Sequence, residues 1–304
     1  MTDIYCGMSL MLVLSAVGFL ATRRAVRGLP SPLCDLLAFL IVGAICAHIR
    51  WLWDDIRMAQ WLPFSNLIVV GNWYLPLAGI LAGLAWRRIE THSARRWAVL
   101  LLLLGSSMYA TMQPVMGVPP NCAHQWEQTT KGRLYYQTTS STCSAAAAAT
   151  ILSLYGIAAD EQEMAELCLT REGTTWKGLY RGLMLKTSSS PWSVQVFHGG
   201  VEELLADNQH PVVLCTRLSA DHPHALMYQR EWGWIPGASH TVVVMAHVRP
   251  GEFIVHDPVA GKEVWTDADL AALWTGDGMR LIERGYRRST EPIVATSTLV
   301  RPTP

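Results

Sequence analysis

Hydrophobic positions along this chain fall into two textures. In the first 121 residues they form four nearly unbroken apolar runs, 4–22, 33–53, 66–86 and 97–116. Each is close to the roughly 20 helical residues needed to cross a bilayer core. None shows the polar face that a soluble helix turns to water. The pattern predicts a transmembrane domain of four helices over residues 1–117. The stretch MQPVMGVPPN (112–121) breaks the run with Pro and Gly and reads as a linker.

Beyond the linker the runs shorten. Residues 143–155 (CSAAAAATILSLY) read as an apolar helix with Gly156 at its C-terminal cap. Residues 160–169 read as a second helix starting from a polar cap, and 200–207 as a short third. Extended runs follow at 193–197, 211–218, 241–248, 252–256 and 263–265. A helix over 266–274 opens with Thr266 as cap and Asp269 three positions on. Residues 279–283 read as a last strand. Helices first and strands after predict an α+β domain over 118–289, followed by an irregular tail, 290–304. The double glycine Gly199-Gly200 reads as a turn before a helix.

Composition and charge sharpen the picture. Only 16% of the 304 residues are charged, against about 25% in soluble globular chains. The zero net charge hides a split: nine Lys/Arg against five Asp/Glu in residues 1–121, fifteen against nineteen in 122–304. Basic residues concentrate in the first loop (Arg23, Arg24, Arg27) and the third (Arg87, Arg88, Arg95, Arg96). In the second, Arg50 and Arg57 are balanced by Asp54 and Asp55. The positive-inside rule assigns the first and third loops to the cytoplasm, and the N-terminus, the second loop and the whole α+β domain to the outside. Arg23-Arg24 follows the first run instead of preceding it, unlike a cleaved signal peptide. His48 and Arg50 are the polar candidates within the runs, and snorkelling at a helix end accounts for them. This domain reads as an anchor, with the bilayer as partner.

There is no P-loop, GxGxxG or HExxH, and no basic stripe, so neither cofactor nor nucleic acid is expected. Asp221, His222, His224 and His247 have ligand chemistry, but a surface or cleft-lining role suits them better and no metal is expected. Tyr228, Trp232 and Trp234 read as a cleft edge or an interface with the membrane surface, with plain core as the alternative. Cys122, Cys168 and Cys215 would lie in an oxidising compartment, where one pair is able to form a disulfide that spacing does not identify.

Cys143 begins the predicted helix, where unpaired N–H groups and the dipole favour a thiolate. A small buried Cys at a helix start is the plainer alternative. His240 opens the strand HTVVVMAHV and Asp257 closes the strand EFIVHDP, with a turn at 249–251. With that turn centred near 249 and 250, facing residues sum to about 499. His240 then faces position 259, with Asp257 as its diagonal neighbour on the same side of the sheet; a register with an even sum would put the two on opposite faces. Thiol, imidazole and carboxylate together have the chemistry of a thiol-protease triad. Gln137, six residues before Cys143, is placed to donate its amide to an oxyanion.

The blocks QTTSSTCSAAAAATILSLYG (137–156), HPVVLC (210–215), SHTVVVMAH (239–247) and FIVHDPVAG (253–261) occur in order over about 125 residues. In these blocks the chain resembles the papain-fold cysteine peptidases that process bacteriocin leaders at double-glycine sites, family thirty-nine of the cysteine peptidases, and their wider relatives. The resemblance implies a papain-like fold, Cys143 as nucleophile, His240 as base, Asp257 as orienting carboxylate and Gln137 as oxyanion donor. Two features depart from the family. Ser144 stands where Gly is usual, a larger residue expected to narrow the cleft. No ATPase accompanies the peptidase here, so double-glycine specificity is not carried over. Single membrane-anchored chains of the wider group are the better comparison. The expectation is an integral membrane, extracytoplasmic cysteine peptidase acting on a secreted or membrane-tethered protein. A non-cleaving peptide-binding module, or a thioester-based acyl transferase, is the alternative.

Overall fold

The structure is a computed structural model and describes residues 1–89, 93–207 and 209–285. The expected tail, 290–304, lies outside the described residues.

The apolar runs fold as helices α1 (Thr2–Ala25), α2 (Ser31–Ala47, continued by a π-helical turn His48–Leu52), α3 (Leu67–Val70), α4 (Tyr74–Arg88) and α5 (Ser93–Met112). Three stretches are long and apolar enough to cross a membrane: Thr2–Ala25, Ser31–Leu52 and Leu67–Arg88. The expected count of four is not reached on that measure. α5 has 20 residues, but Arg95, Arg96, Ser106, Ser107 and Thr111 dilute its apolar content. His48 is not a snorkelling residue. It is buried, and its Nε2 accepts from the Trp73 N–H at 3.2 Å, tying the end of α2 to the break between α3 and α4.

The globular domain opens with a two-stranded ribbon, β1 (Trp126–Gln128) and β2 (Arg133–Tyr135). Helices α6 (Cys143–Leu154), α7 (Glu161–Leu167) and α8 (Trp176–Thr187) follow, then β3 (Trp192–His198), α9 (Val201–Asp207), β4 (Val212–Arg217), α10 (Ala225–Trp232), β5 (Ser239–Arg249), β6 (Glu252–Asp257), β7 (Gly261–Thr266), α11 (Asp267–Leu273) and β8 (Trp274–Glu283). The six strands from β3 onward form one antiparallel sheet in the order β3-β8-β4-β5-β6-β7. The α+β class is as expected.

Strand periodicity sends alternate residues to opposite faces. Val213 and Val243 pack under α6, α7 and α8, while Val212, Leu214, Val242 and Val244 pack under α9, α10 and α11. The all-alanine face of α6, Ala145–Ala149, is fully buried and lets that helix lie close on the sheet. α6 ends as Gly156 adopts φ +72°, with Ile157 N–H donating to Leu152 O and Gly156 N–H to Ser153 O, the bonding of a Schellman motif. Thr266 and Asp269 form a complete capping box at α11.

The two halves share a core. Ile56, Ala59 and Leu67 belong to the same buried cluster as α6, α7 and α8, and Leu169 inserts among Ile4, Met8 and Met11 of α1. Charge secures the seam. Arg181 of α8 is buried and donates from Nε and Nη2 to the two carboxylate oxygens of Asp3 at 2.8 and 2.9 Å. One helical turn earlier, Lys177 donates to the carbonyls of Leu52 and Trp53 at 3.0 and 2.8 Å. Burial pushes the nearby Asp54 carboxyl up to about 6, although Lys177 and the N–H groups at the start of α8 draw it down.

Candidate active site

Cys143 is the first residue of α6, where the opening N–H groups have no intrahelical partner. The loop before it is braced by its own hydroxyls: Thr139 and Thr142 hydrogen-bond at 3.0 Å, and Thr142 is fully buried. His240 is the second residue of β5. Asp257 is the last residue of β6 and only 1% exposed.

The hairpin register brings these together by a route that the turn does not determine. Next to the turn Arg249 pairs with Glu252, a sum of 501, which would hold Asp257 too far along the strand from His240. Two irregularities follow, between His247 and Arg249 and between Val244 and Ala246, each inserting one extra residue into β5. One bulge alone would send His240 to the other face; two restore the face and advance the register by two. At the site Val243 pairs with His256, a sum of 499.

His240 Nε2 and Asp257 Oδ1 lie 2.9 Å apart, and the same oxygen accepts from the Val259 N–H at 2.7 Å. Nδ1 is the ring nitrogen that Asp257 does not engage. Burial alone would raise the Cys143 thiol, but the hydrogen bond and charge of His240 outweigh it and hold the thiol below its ordinary value. Burial likewise disfavours a charged His240, yet Asp257 and the Cys143 sulfur push the imidazole up to about 10. Both shifts favour the charged form of the group concerned. Trp234 packs edge-on against His240, with ring centres 5.1 Å apart.

Gln137 lines the same cleft, a space of about 130 Å³ bordered also by Cys143, His240, Asp257 and Trp234. Its backbone N–H donates to Pro258 O at 2.9 Å, which fastens the loop before α6 to the end of β6. Its side-chain Nε2 donates to Thr139 O at 3.1 Å, leaving one amide hydrogen for a ligand.

Ser144 corrects the expectation of a narrowed cleft. Its side chain does not line the cleft, is 2% exposed, and hydrogen-bonds with Thr241 Oγ1 at 2.7 Å, with Oγ also 4.0 Å from the Cys143 sulfur. The bond joins the residue after Cys143 to the residue after His240. Trp232 and Trp234 line the cleft as expected, but Tyr228 does not: it is buried and donates to Asp269 at 2.7 Å.

His256 is a residue the sequence did not single out. It is fully buried, and its Nε2 donates to Tyr135 O at 2.8 Å, clamping the ribbon onto β6 beside Asp257. Its position beside Asp257 in the FIVHDP block was the available signal. Among the described residues no group of His, Cys, Asp and Glu is placed to hold a metal ion. Cys122, Cys168 and Cys215 are free thiols, the latter two buried.

Residues 129–278 match the family model described as the Peptidase_C39 like family. Among solved structures, the peptidase domain of Streptococcus ComA, a bifunctional ABC transporter of a quorum-sensing pathway, is 18% identical (TM-score 0.39; 50% of this chain, 98% of that one). A double glycine motif protease from an AMS/PCAT transporter, solved with its leader peptide, is 12% identical (TM-score 0.38; 55% and 99%). A periplasmic domain of the EpsAB fusion protein of Vibrio vulnificus is 18% identical (TM-score 0.29; 47% and 47%). No curated protein matches the chain. Over residues 129–278 this chain carries a domain similar to the C39 peptidases, joined to a preceding set of apolar helices.

Proposed function

We propose that the chain is a membrane-anchored cysteine peptidase that hydrolyses peptide bonds of a secreted or membrane-tethered polypeptide on the extracytoplasmic side. The supporting observation is the His240–Asp257 pair at 2.9 Å in the cleft that holds the Cys143 thiol at a helix start.

In this reading the Cys143 thiolate attacks the scissile carbonyl carbon. The oxyanion takes hydrogen bonds from the Gln137 amide and from the N–H groups opening α6. The imidazolium of His240 gives its proton to the leaving amine as the C–N bond breaks, leaving a thioester on Cys143. His240 then takes a proton from water, whose oxygen attacks the thioester carbonyl. The acid leaves and the thiol is restored. Asp257 holds the ring by Nε2 and supports its charge throughout.

The extracytoplasmic assignment draws on the arginine-rich first and third loops. Contacts from the globular domain to Asp3, in the N-terminal segment, and to the Leu52 and Trp53 carbonyls, at the end of the second run that leads into the second loop, agree with it, since both lie on the side assigned outside. The test is iodoacetamide labelling, expected to disappear from this site in Cys143→Ala, together with substrate processing, expected to disappear in Cys143→Ala and His240→Ala. Normal processing by Cys143→Ala would refute the proposal.

A further inference from the structure

The loop before Cys143 borders two spaces. Ser140 lines the catalytic cleft and also a larger groove of about 880 Å³. That groove is also lined by Tyr109 in the last turn of α5, by Gln113 just beyond it, and by the linker through Gly117 and Val118. Cleft and groove therefore meet at Ser140, with the thiol on one side of that residue and the terminus of α5 on the other.

The groove is a built feature. Arg171 straps the linker to the globular domain, donating from Nε to Met116 O at 2.9 Å and from Nη2 to Val115 O at 3.3 Å. Gly117 adopts φ +94° where it passes that arginine, and a Cβ would stand 3.2 Å from Arg171 Cδ. The Arg181–Asp3 pair and the Lys177 bonds fix the globular domain against the helices. Cys143 is thus held at a set height above the end of α5. Val118 is 85% exposed on the groove wall and offers apolar contact, while Ser140 and the neighbouring hydroxyls offer partners to an extended backbone.

We propose that this groove receives the membrane-proximal stretch of a polypeptide substrate itself anchored in the bilayer, so that the scissile bond is selected by its distance from the membrane. The proposal rests on Cys143 being the peptidase nucleophile. A chain leaving the bilayer beside α5 meets the groove first and the thiol second. Tethering also supplies an effective concentration in the millimolar range for flexible short linkers, which a soluble peptide lacks.

The test uses the full chain in phosphatidylethanolamine–phosphatidylglycerol vesicles. A randomised peptide library fused to a single transmembrane stem is compared with the same library free in solution, and products are sequenced by mass spectrometry. Cuts in the tethered library are expected within about ten residues of the stem, roughly 35 Å of extended chain. Gln113→Trp and Val118→Trp, which fill the groove at its membrane end, are expected to lower tethered cleavage about tenfold. Iodoacetamide alkylation of Cys143, which also reports that the variants fold, is expected to be unchanged. Cuts scattered at all distances, equal use of the free library, or tethered cleavage unaffected by both substitutions overturns the proposal. Failure of the wild-type protein to cut either library, with Cys143 alkylating like an ordinary thiol, overturns the peptidase reading itself.

Discussion

Asp257→Asn isolates the charge behind the histidine. Oδ1 of Asp257 takes both the His240 Nε2 contact and the Val259 N–H. An asparagine carbonyl oxygen in the same place accepts both, so the substitution removes the negative charge and little else. Charge-assisted hydrogen bonds contribute about 1.5–3 kcal/mol, roughly twice a neutral one, so the loss is about 1–2 kcal/mol. At 1.36 kcal/mol per pKa unit this lowers the His240 imidazole by about one unit from about 10. The sign follows from the pair: the thiolate–imidazolium state is lost as pH rises through the histidine pKa, or falls through that of the thiol. In Asp257→Asn the alkaline edge, set by the histidine, therefore moves down, while the acid edge does not rise, because the ring is already charged where the thiol loses its proton; the reactive window narrows from the alkaline side. The assay is the rate of Cys143 alkylation by iodoacetamide as a function of pH, read by intact mass. Peptide cleavage is expected to fall further, within the 10²–10⁴-fold that positioned acid–base catalysis supplies. An alkylation profile identical to wild type would show that Asp257 does not support the imidazolium, and the triad reasoning would fail.

Three other outcomes are expected. Ser144→Ala and Thr241→Val each leave one buried hydroxyl of the 2.7 Å pair without its partner, costing about 1–3 kcal/mol, and the double variant should recover most of that loss; thermal unfolding followed by tryptophan fluorescence measures it, and strictly additive losses refute the coupling. At pH 7 iodoacetamide should label Cys143 ahead of the other globular-domain cysteines, because burial pushes the Cys122 thiol up to about 11 and that of Cys168 to about 12, leaving Cys122 ionised to roughly one part in ten thousand; peptide mapping that finds equal labelling contradicts this. Arg181→Met leaves the partly exposed Asp3 carboxylate with the N-terminal amine at 3.4 Å in place of its bidentate partner and should cost about 1–3 kcal/mol, seen as faster proteolysis at linker residues 112–121; Arg181→Lys should not rescue it fully, because the pairing is bidentate.

Much of the globular domain follows local rules, and local rules are visible in a sequence. Gly156 ends α6 because glycine takes φ +72° without strain. Asp160 caps α7 by accepting the Glu163 N–H at 2.8 Å, and Thr266 with Asp269 caps α11. α8 is different: nothing in the sequence reading marked it, since Lys177 and Arg181 suggest a solvated face. Both are buried because carbonyls and a carboxylate from residues more than a hundred positions away satisfy them, and those partners exist only once the two halves meet. His48 failed in the same manner, its ring engaged by a backbone N–H that α3 and α4 bring to it.

The sequence by itself determined that a membrane-length apolar region precedes an α+β domain, that Cys143 starts a helix, and that His240 and Asp257 sit at strand ends. These are consequences of hydrophobic period, capping chemistry and turn residues, which act over a few positions. Only the tertiary structure decided that the histidine and the carboxylate meet, because their register depends on two bulges in β5 whose combined shift no turn rule specifies. It also decided the direction in which Ser144 points and the height at which the thiol stands above the helices. Both are fixed by packing and hydrogen bonds between segments distant in the chain, whose strength depends on burial that no local pattern encodes.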